Sequence, residues 1–75
     1  MSAKHQHAIK LAREGDWDGA HRLIQDDDDS LSCQIHGYLH RAEGDFANAA
    51  YWYRRAGVPM PDNSLEQELA RLTAV

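Results

Sequence analysis

Two histidines and a glutamate recur at helical spacing in the middle of the chain. His36, His40 and Glu43 stand at positions i, i+4 and i+7, so on a helix their side chains fall within about 60° of one another. Neutral imidazole and carboxylate groups suit zinc and similar divalent ions. One interpretation is therefore a metal site formed by these three residues, which His21 and Cys33 could join. The alternatives are a solvated helix face and a hydrogen-bonded polar network inside the protein.

Other patterns of catalytic or metal-binding residues are incomplete. The chain has no His-Glu-x-x-His pattern and no spaced cysteine pair, which are the stronger signals of a zinc site. Asp16, Asp18 and His21 could form an acid–base group, but both aspartates are explained by the start of a helix. The acidic run 26–29 lacks the alternating ligands, glycine and distal glutamate of a calcium loop. We therefore predict that the chain is not an enzyme.

Three consecutive aromatic residues, Tyr51, Trp52 and Tyr53, must point in different directions if they lie on a helix. Phe46 and Tyr53 are seven residues apart and are predicted to belong to the core. Trp52 lies beside that apolar stripe, where it could contact the last helix or a partner. Tyr51 turns away from the core and could stack on a nearby arginine.

Aromatic residues and arginine are enriched where proteins bind one another. The residues predicted to bind a partner are Tyr38, Arg41, Trp52, Arg54 and Arg55. The two consecutive arginines also have a local explanation, because positive charge is favourable near the C-terminus of a helix.

A duplicated segment determines how these residues are placed. Residues 11–24 and 40–53 align at an offset of 29, where Glu14-Gly15-Asp16-Trp17 matches Glu43-Gly44-Asp45-Phe46 and Ala20 matches Ala49. Each glycine can adopt the left-handed conformation that ends a helix, and each aspartate can cap the helix that follows. Because almost no loop remains between the two helices, we expect them to lie antiparallel and in contact, as a helical hairpin.

The sequence predicts five helices and no strand, which gives an all-α fold. The helices are predicted at about 3–14, 17–25, 31–43, 46–56 and 64–73. They form a single domain over residues 1–75, with one hairpin at 3–25, a second at 30–57 and a C-terminal capping helix. Asp29 or Ser30 is expected to cap the third helix, Gly57 ends the fourth, and Ser64 and Gln67 have the spacing of a capping box.

These hairpins resemble the tetratricopeptide repeat. The second copy has the family's glycine in the first helix, its Gly-polar-aromatic junction and its later alanines, aromatic and proline, at Gly37, Gly44-Asp45-Phe46, Ala49, Tyr53, Ala56 and Pro61. The first copy has Ala8 in place of the first glycine and lacks the later alanine and the proline. The resemblance covers about residues 3–61. The offset is shorter than the typical 34 residues, and two copies are fewer than the roughly three that such arrays usually need.

The resemblance implies a function and a position for the histidines. Tetratricopeptide arrays are usually scaffolds, so it implies a non-catalytic module for protein–protein interaction or self-association. The partner would be a protein, a peptide or a second copy that supplies the missing neighbour. The family usually has large apolar side chains at the positions of His36 and His40, so both would point inward toward Ala49 and Tyr53.

Length, charge and cysteine content narrow the function classes further. The chain has 75 residues and a formal charge of −4, and its basic residues are scattered, so we expect no nucleic-acid partner. No apolar run approaches the ~20 residues that span a bilayer, and the N-terminal segment lacks an apolar signal sequence. We therefore expect a cytoplasmic protein without membrane contact, which a single cysteine also fits.

Overall fold

The computed structural model describes residues 1–75 and contains five helices and no strand. The helices are α1 (Ala3–Arg13), α2 (Trp17–Ile24), α3 (Ser30–Ala42), α4 (Phe46–Arg55) and α5 (Leu65–Thr73). The predicted all-α class is confirmed, and each predicted boundary lies within one residue of the observed one. None of these helices has the length and apolar character needed to traverse a membrane.

The two glycine-aspartate corners separate helices as the duplication predicts. Gly15 and Gly44 have φ angles of +85° and +83°, a conformation that side chains with a Cβ disfavour. Asp16 accepts a hydrogen bond from the backbone N–H of Gly19, and Asp45 accepts one from Asn48. Each corner therefore ends one helix at the glycine and starts the next at the aspartate.

The remaining predicted helix ends are also found. Asp29, not Ser30, caps α3 by accepting a hydrogen bond from the backbone of Ser32. Gly57 has a φ of +84° just after α4. Ser64 and Gln67 form the reciprocal capping box at the start of α5, which satisfies two backbone N–H groups that have no partner within the helix.

The central element is α3, which contacts each of the other four helices. Every residue from 31 to 41 is buried, although five of the eleven are polar. These polar residues are Ser32, Gln34, His36, His40 and Arg41. Because helices lie on all sides of α3, none of its faces is left for solvent. The interpretation of the histidines as a solvated helix face is therefore wrong.

The hydrophobic core lies between α1, α2, α3 and α5, and α4 packs on the side of α3. Ala49 and Tyr53 are the α4 residues that become fully buried. Phe46, which was predicted to join them in the core, is 60% exposed. It stands in the first turn of α4, whose contact with α3 is filled by the alanine and the tyrosine. The core cluster consists of Ala8, Ile9, Ala20, Ile24, Leu31, Ile35, Tyr38, Leu39 and Leu72.

A buried polar network attaches α5 to the rest of the protein. The carboxylate of Glu68 accepts hydrogen bonds from Tyr53 Oη at 2.7 Å, from Arg71 Nε at 2.7 Å and from Asn63 Nδ2 at 3.1 Å. Arg71 also donates to the side chain of Gln34 on α3. Helix α5 packs against α1 and α3, and it reaches α4 through the tyrosine hydroxyl.

Candidate functional site

The structure brings together the rings of His21, His36 and His40, here called the histidine cluster. His21 lies on α2, and the other two lie one turn apart on α3. One ring nitrogen of each lies within 4.8 Å of the other two. The Nε2 atoms of His21 and His36 are 3.1 Å apart, so a hydrogen bond joins the two helices here.

Two members of the cluster are buried and one is half-buried. His36 and His40 are 4% and 7% exposed. Burial, together with the nearby His21 and His40, lowers the pKa of His36 to about 4. Burial also lowers the pKa of His21, with a further contribution from His40. The His36 ring is therefore neutral at pH 7 and carries one lone pair.

Glu43 fixes the orientation of the third ring. Its Oε2 lies 2.6 Å from Nδ1 of His40, and an ionised carboxylate can only accept a hydrogen bond. The proton of a neutral His40 therefore sits on Nδ1, which leaves Nε2 with a free lone pair. Glu43, His40 and Asp45 also place one ligand atom each within 4.8 Å of one another.

Two indole rings hold the cluster on either side. Trp17 stacks on His21 with ring centres 4.7 Å apart, and Trp52 stacks on His36 at 3.7 Å. Trp17 Nε1 donates a hydrogen bond to the backbone carbonyl of Leu39 at 2.6 Å. Trp17 was not among the site residues predicted from the sequence, and its place in the repeated corner gave no signal, because Phe46 at the matching position is 60% exposed.

One buried atom in the cluster has no partner. Nδ1 of His36 is the only buried side-chain nitrogen or oxygen in the chain without a hydrogen bond. Unpaired buried polar atoms are rare because each costs about 1–3 kcal/mol. The cluster is therefore the place in the core where hydrogen bonding is incomplete.

The metal-ligand residues predicted from the sequence fall into two groups that share His40. His21, His36 and His40 form one group, and His40, Glu43 and Asp45 form the other, so His36 and Glu43 are not brought together as ligands of one ion. Cys33 is buried and lies outside both groups. The expectation that the histidines point toward Ala49 and Tyr53 is wrong, because Gly37 occupies that contact. His36, one residue earlier, is turned about 100° away, toward α2 and Trp52.

Two of the five residues predicted to bind a partner are buried. Tyr38 and Arg41 are each 8% exposed. Tyr38 belongs to the core with Leu72 of α5, and burial raises the pKa of its hydroxyl. Arg41 donates hydrogen bonds to the side-chain and backbone oxygens of Asn63, just before α5. Neither residue offers a surface to a partner while α5 lies on α3.

The other three predicted residues lie at or near the surface of α4. Trp52 is half-buried because one face stacks on His36. Arg54 and Arg55 are exposed. The guanidinium of Arg55 lies 4.9 Å from the centre of the Trp52 ring and 5.9 Å from that of Tyr51, so cation–π contacts link these side chains.

A continuous surface on α4 emerges from these positions, here called the outer face of α4. Its exposed aromatic residues are Phe46 and Tyr51, at 60% and 47%. It comprises Phe46, Ala47, Ala50, Tyr51, Arg54 and Arg55. Two of these residues, Ala50 and Arg54, also line an open cleft with the segment 57–60 that follows the helix.

Comparison of the chain with protein-family models, curated proteins and solved structures finds no match. What the chain does is therefore inferred from its own residues and their geometry.

Proposed function

We propose that this chain is a non-catalytic protein-interaction module of tetratricopeptide-like architecture, with two antiparallel helical hairpins and a C-terminal helix. The packing of α1 on α2 and of α3 on α4 supports this arrangement, as do the two matching corners. Gly37 lies against Tyr53 and Ala49, and these are three of the positions that carry the resemblance to the family.

The observation that carries the proposed function is the outer face of α4. Among the helices, α4 packs closely against α3 alone, so no other helix covers its opposite side. That side carries two exposed aromatic residues and two arginines, and the helix contains no acidic residue. Aromatic and arginine side chains dominate the energetics of protein interfaces. Helix α5 covers part of α1 and α3, so those faces are less available to a partner.

The partner is a protein surface, and the simplest one is a second copy. Two hairpins are fewer than the roughly three that helical-repeat arrays usually need, so a neighbour packed on α4 would extend the stack. The chain carries a net charge of −4, whereas Arg54 and Arg55 make this end of α4 basic. The partner surface should therefore combine apolar area with acidic groups.

A reducing, cytoplasmic location is part of the same proposal. Cys33 is the single cysteine and is buried. Burial raises the pKa of its thiol, which keeps it protonated and unreactive. The fold therefore does not depend on a disulfide, which is the bond that an oxidising compartment would provide.

Light scattering after size exclusion, over a wide range of protein concentrations, tests the proposal directly. We expect the wild-type chain to form a dimer, and the double variant Phe46→Ser, Tyr51→Ser to be monomeric. Leu65→Ser on α5 removes a similarly exposed apolar side chain and is the matched control, which should behave as wild type.

A photo-crosslinking amino acid at the exposed position of Ala47 extends the test to other partners in the cell of origin. Crosslinks that form there and disappear in the double variant would identify the partner. A strictly monomeric wild type that also forms no crosslink at position 47 would contradict the proposal, because the outer face of α4 would then bind nothing.

A further inference from the structure

We propose that the histidine cluster binds a divalent transition-metal ion of the zinc class, with His21, His36 and His40 as ligands and Glu43 orienting His40. This site lies between α2 and α3 and shares no residue with the outer face of α4, so each proposal can fail without the other. Two observations carry it: the spacing of the nitrogens and the carboxylate behind one ring.

The nitrogen spacing is close to what a metal ion requires. Two nitrogens bound to one tetrahedral zinc lie about 3.3 Å apart, since each zinc–nitrogen bond is about 2.1 Å. The Nε2 atoms of His21 and His36 are 3.1 Å apart. The third ring brings a nitrogen within 4.8 Å of both, so a rotation of the half-buried His21 or of His40 completes a three-nitrogen site.

The carboxylate of Glu43 stands where metal sites place a supporting group. Histidines that bind metal commonly donate their other ring N–H to a carboxylate, which fixes the tautomer and strengthens the ligand. His40 has this arrangement, with Nδ1 2.6 Å from Glu43. In a neutral His40, Nε2 therefore carries the free lone pair that a metal ion would bind.

The unpaired nitrogen of His36 shows that the cluster is not a completed hydrogen-bond network. If Nε2 of His36 donates to His21, then Nδ1 retains a lone pair that nothing uses. If Nε2 accepts instead, Nδ1–H is a buried donor without an acceptor. An ion bound to Nε2 would leave the proton on Nδ1, still without a partner, so this atom shows only that hydrogen bonding at the cluster is incomplete, and the metal proposal rests on the nitrogen spacing and on Glu43.

The surroundings suit a cation held by imidazole. The stacked indoles of Trp17 and Trp52 limit the movement of two ligand rings. Burial opposes positive charge at His21 and His36, as does Arg55 at His36, while Glu43 and Asp18 favour it at His21. Imidazole ligands select zinc, copper, nickel and related ions over magnesium or calcium. Three protein nitrogens leave a fourth position for water.

The two tryptophans make the test direct, because they are the only ones in the chain and both stack on the cluster. Full-length protein, purified without an affinity tag, is titrated with cobalt(II) and separately with zinc(II). We expect one ion per chain by calorimetry, visible absorption bands from cobalt bound to nitrogen, and strong quenching of tryptophan fluorescence by cobalt.

Three variants locate the site. His21→Gln should abolish the cobalt bands and the quenching. Glu43→Gln should weaken zinc binding by about 10- to 100-fold, as loss of a supporting carboxylate does elsewhere. His7→Gln removes an exposed histidine outside the cluster and should leave both signals unchanged. Circular dichroism confirms that each variant is folded.

Two results would overturn the proposal. One is a wild-type chain that shows no cobalt band and no quenching, which would make the cluster a packing feature only. The other is binding that survives His21→Gln but is lost in His7→Gln, which would place the ion on the surface. Should His21→Gln fail to fold, Glu43→Gln decides, because its side chain is largely at the surface and unchanged zinc affinity in it would contradict the site.

Discussion

At the scale of single residues, Gly37 shows how closely α3 and α4 approach. A Cβ at this position would lie 2.7 Å from two ring carbons of Tyr53 and 3.2 Å from the backbone oxygen of Ala49. Tyr53 is fully buried, and its hydroxyl donates to Glu68, so its ring has no free space to move into. The glycine is needed for space rather than for an unusual backbone angle.

Replacing Gly37 by alanine is expected to destabilise the fold. Overpacking a core costs about 1–3 kcal/mol, while alanine gains about 1 kcal/mol over glycine in a helix. We expect a net loss of about 1 kcal/mol, and at most about 2 kcal/mol, in the free energy of unfolding measured by urea denaturation. Ala70→Gly is the control, because Ala70 is exposed in the middle of α5 and its replacement measures the difference in helix propensity alone. A Gly37→Ala variant as stable as wild type would contradict the close contact.

Local residue signals predicted much of what the structure contains. The corner glycines, the aspartate caps and the Ser64–Gln67 capping box all follow from the conformations and hydrogen bonds that those residues favour. The box at α1, formed by Ser2 and His5, was missed because glutamate or glutamine normally fills the third position. His5 also contacts Asp29 and Ser32, across 24 and 27 residues, and no local pattern encodes such a contact.

At the scale of elements, α5 is held by a charge inside the protein. Glu68 is fully buried. Burial by itself raises the pKa of its carboxyl, but the hydrogen bonds from Arg71, Tyr53 and Asn63 outweigh burial, so the pKa lies below its ordinary value of 4.5. The ionised form is therefore the one that stabilises the folded protein, and it ties α5 to α4 and to the segment before it.

The stability of the protein should consequently depend on pH through Glu68. Because the folded pKa is depressed, this contribution is fully present above about pH 4.5 and is lost as the pH falls through the folded pKa. We expect Glu68→Gln to lower the free energy of unfolding by about 2 kcal/mol at pH 7. Urea denaturation at a series of pH values should show this difference shrinking below pH 4.5.

Glu66→Gln provides the control for that series, because Glu66 is exposed and lies on the same helix. It should follow the wild-type curve at every pH. A Glu68→Gln difference that stayed constant between pH 7 and pH 3 would show that the carboxylate charge contributes nothing and that only the shape of the side chain matters.

Element positions were harder to predict than element ends. Helical periodicity assigns an apolar stripe to each helix. In α5 the stripe is Leu65, Leu69 and Leu72, of which Leu72 is fully buried and Leu69 packs against the core, whereas Leu65 in the first turn is 37% exposed. For α4 it placed Phe46 in the core, although Phe46 is the first residue of the helix and is 60% exposed, whereas Tyr53, two turns later on the same side, is fully buried. Periodicity describes one helix at a time and does not state how many neighbours surround it.

At the scale of the whole molecule, the central place of α3 explains why the candidate site was only partly predictable. Spacing alone grouped His36, His40 and Glu43, because they share one helix. The burial of these histidines, and the addition of His21 from α2, depend on four helices enclosing α3. Such enclosure is a property of the assembled chain. The polar residues along α3 gave no local indication that this helix would be buried on all sides.

The same enclosure predicts how the molecule opens. Since α3 contacts every other helix, none of its backbone hydrogen bonds can break without separating those contacts. Amides of α3 are expected to exchange with solvent only through global unfolding, so their opening free energy should equal the stability measured with urea. Amides at the end of α4, which packs closely on α3 alone, should open at a lower free energy.

Native-state hydrogen exchange followed by NMR measures both quantities in one experiment. Tryptophan fluorescence and circular dichroism should report the same unfolding transition, because Trp17 and Trp52 both contact histidine side chains of α3 and a single cooperative unit has one transition. The order of protection is the sensitive result. If amides of α1 and α2 outlast those of α3, then the first two helices form a unit stable by itself, and α3 is an addition to that unit rather than the centre of the fold.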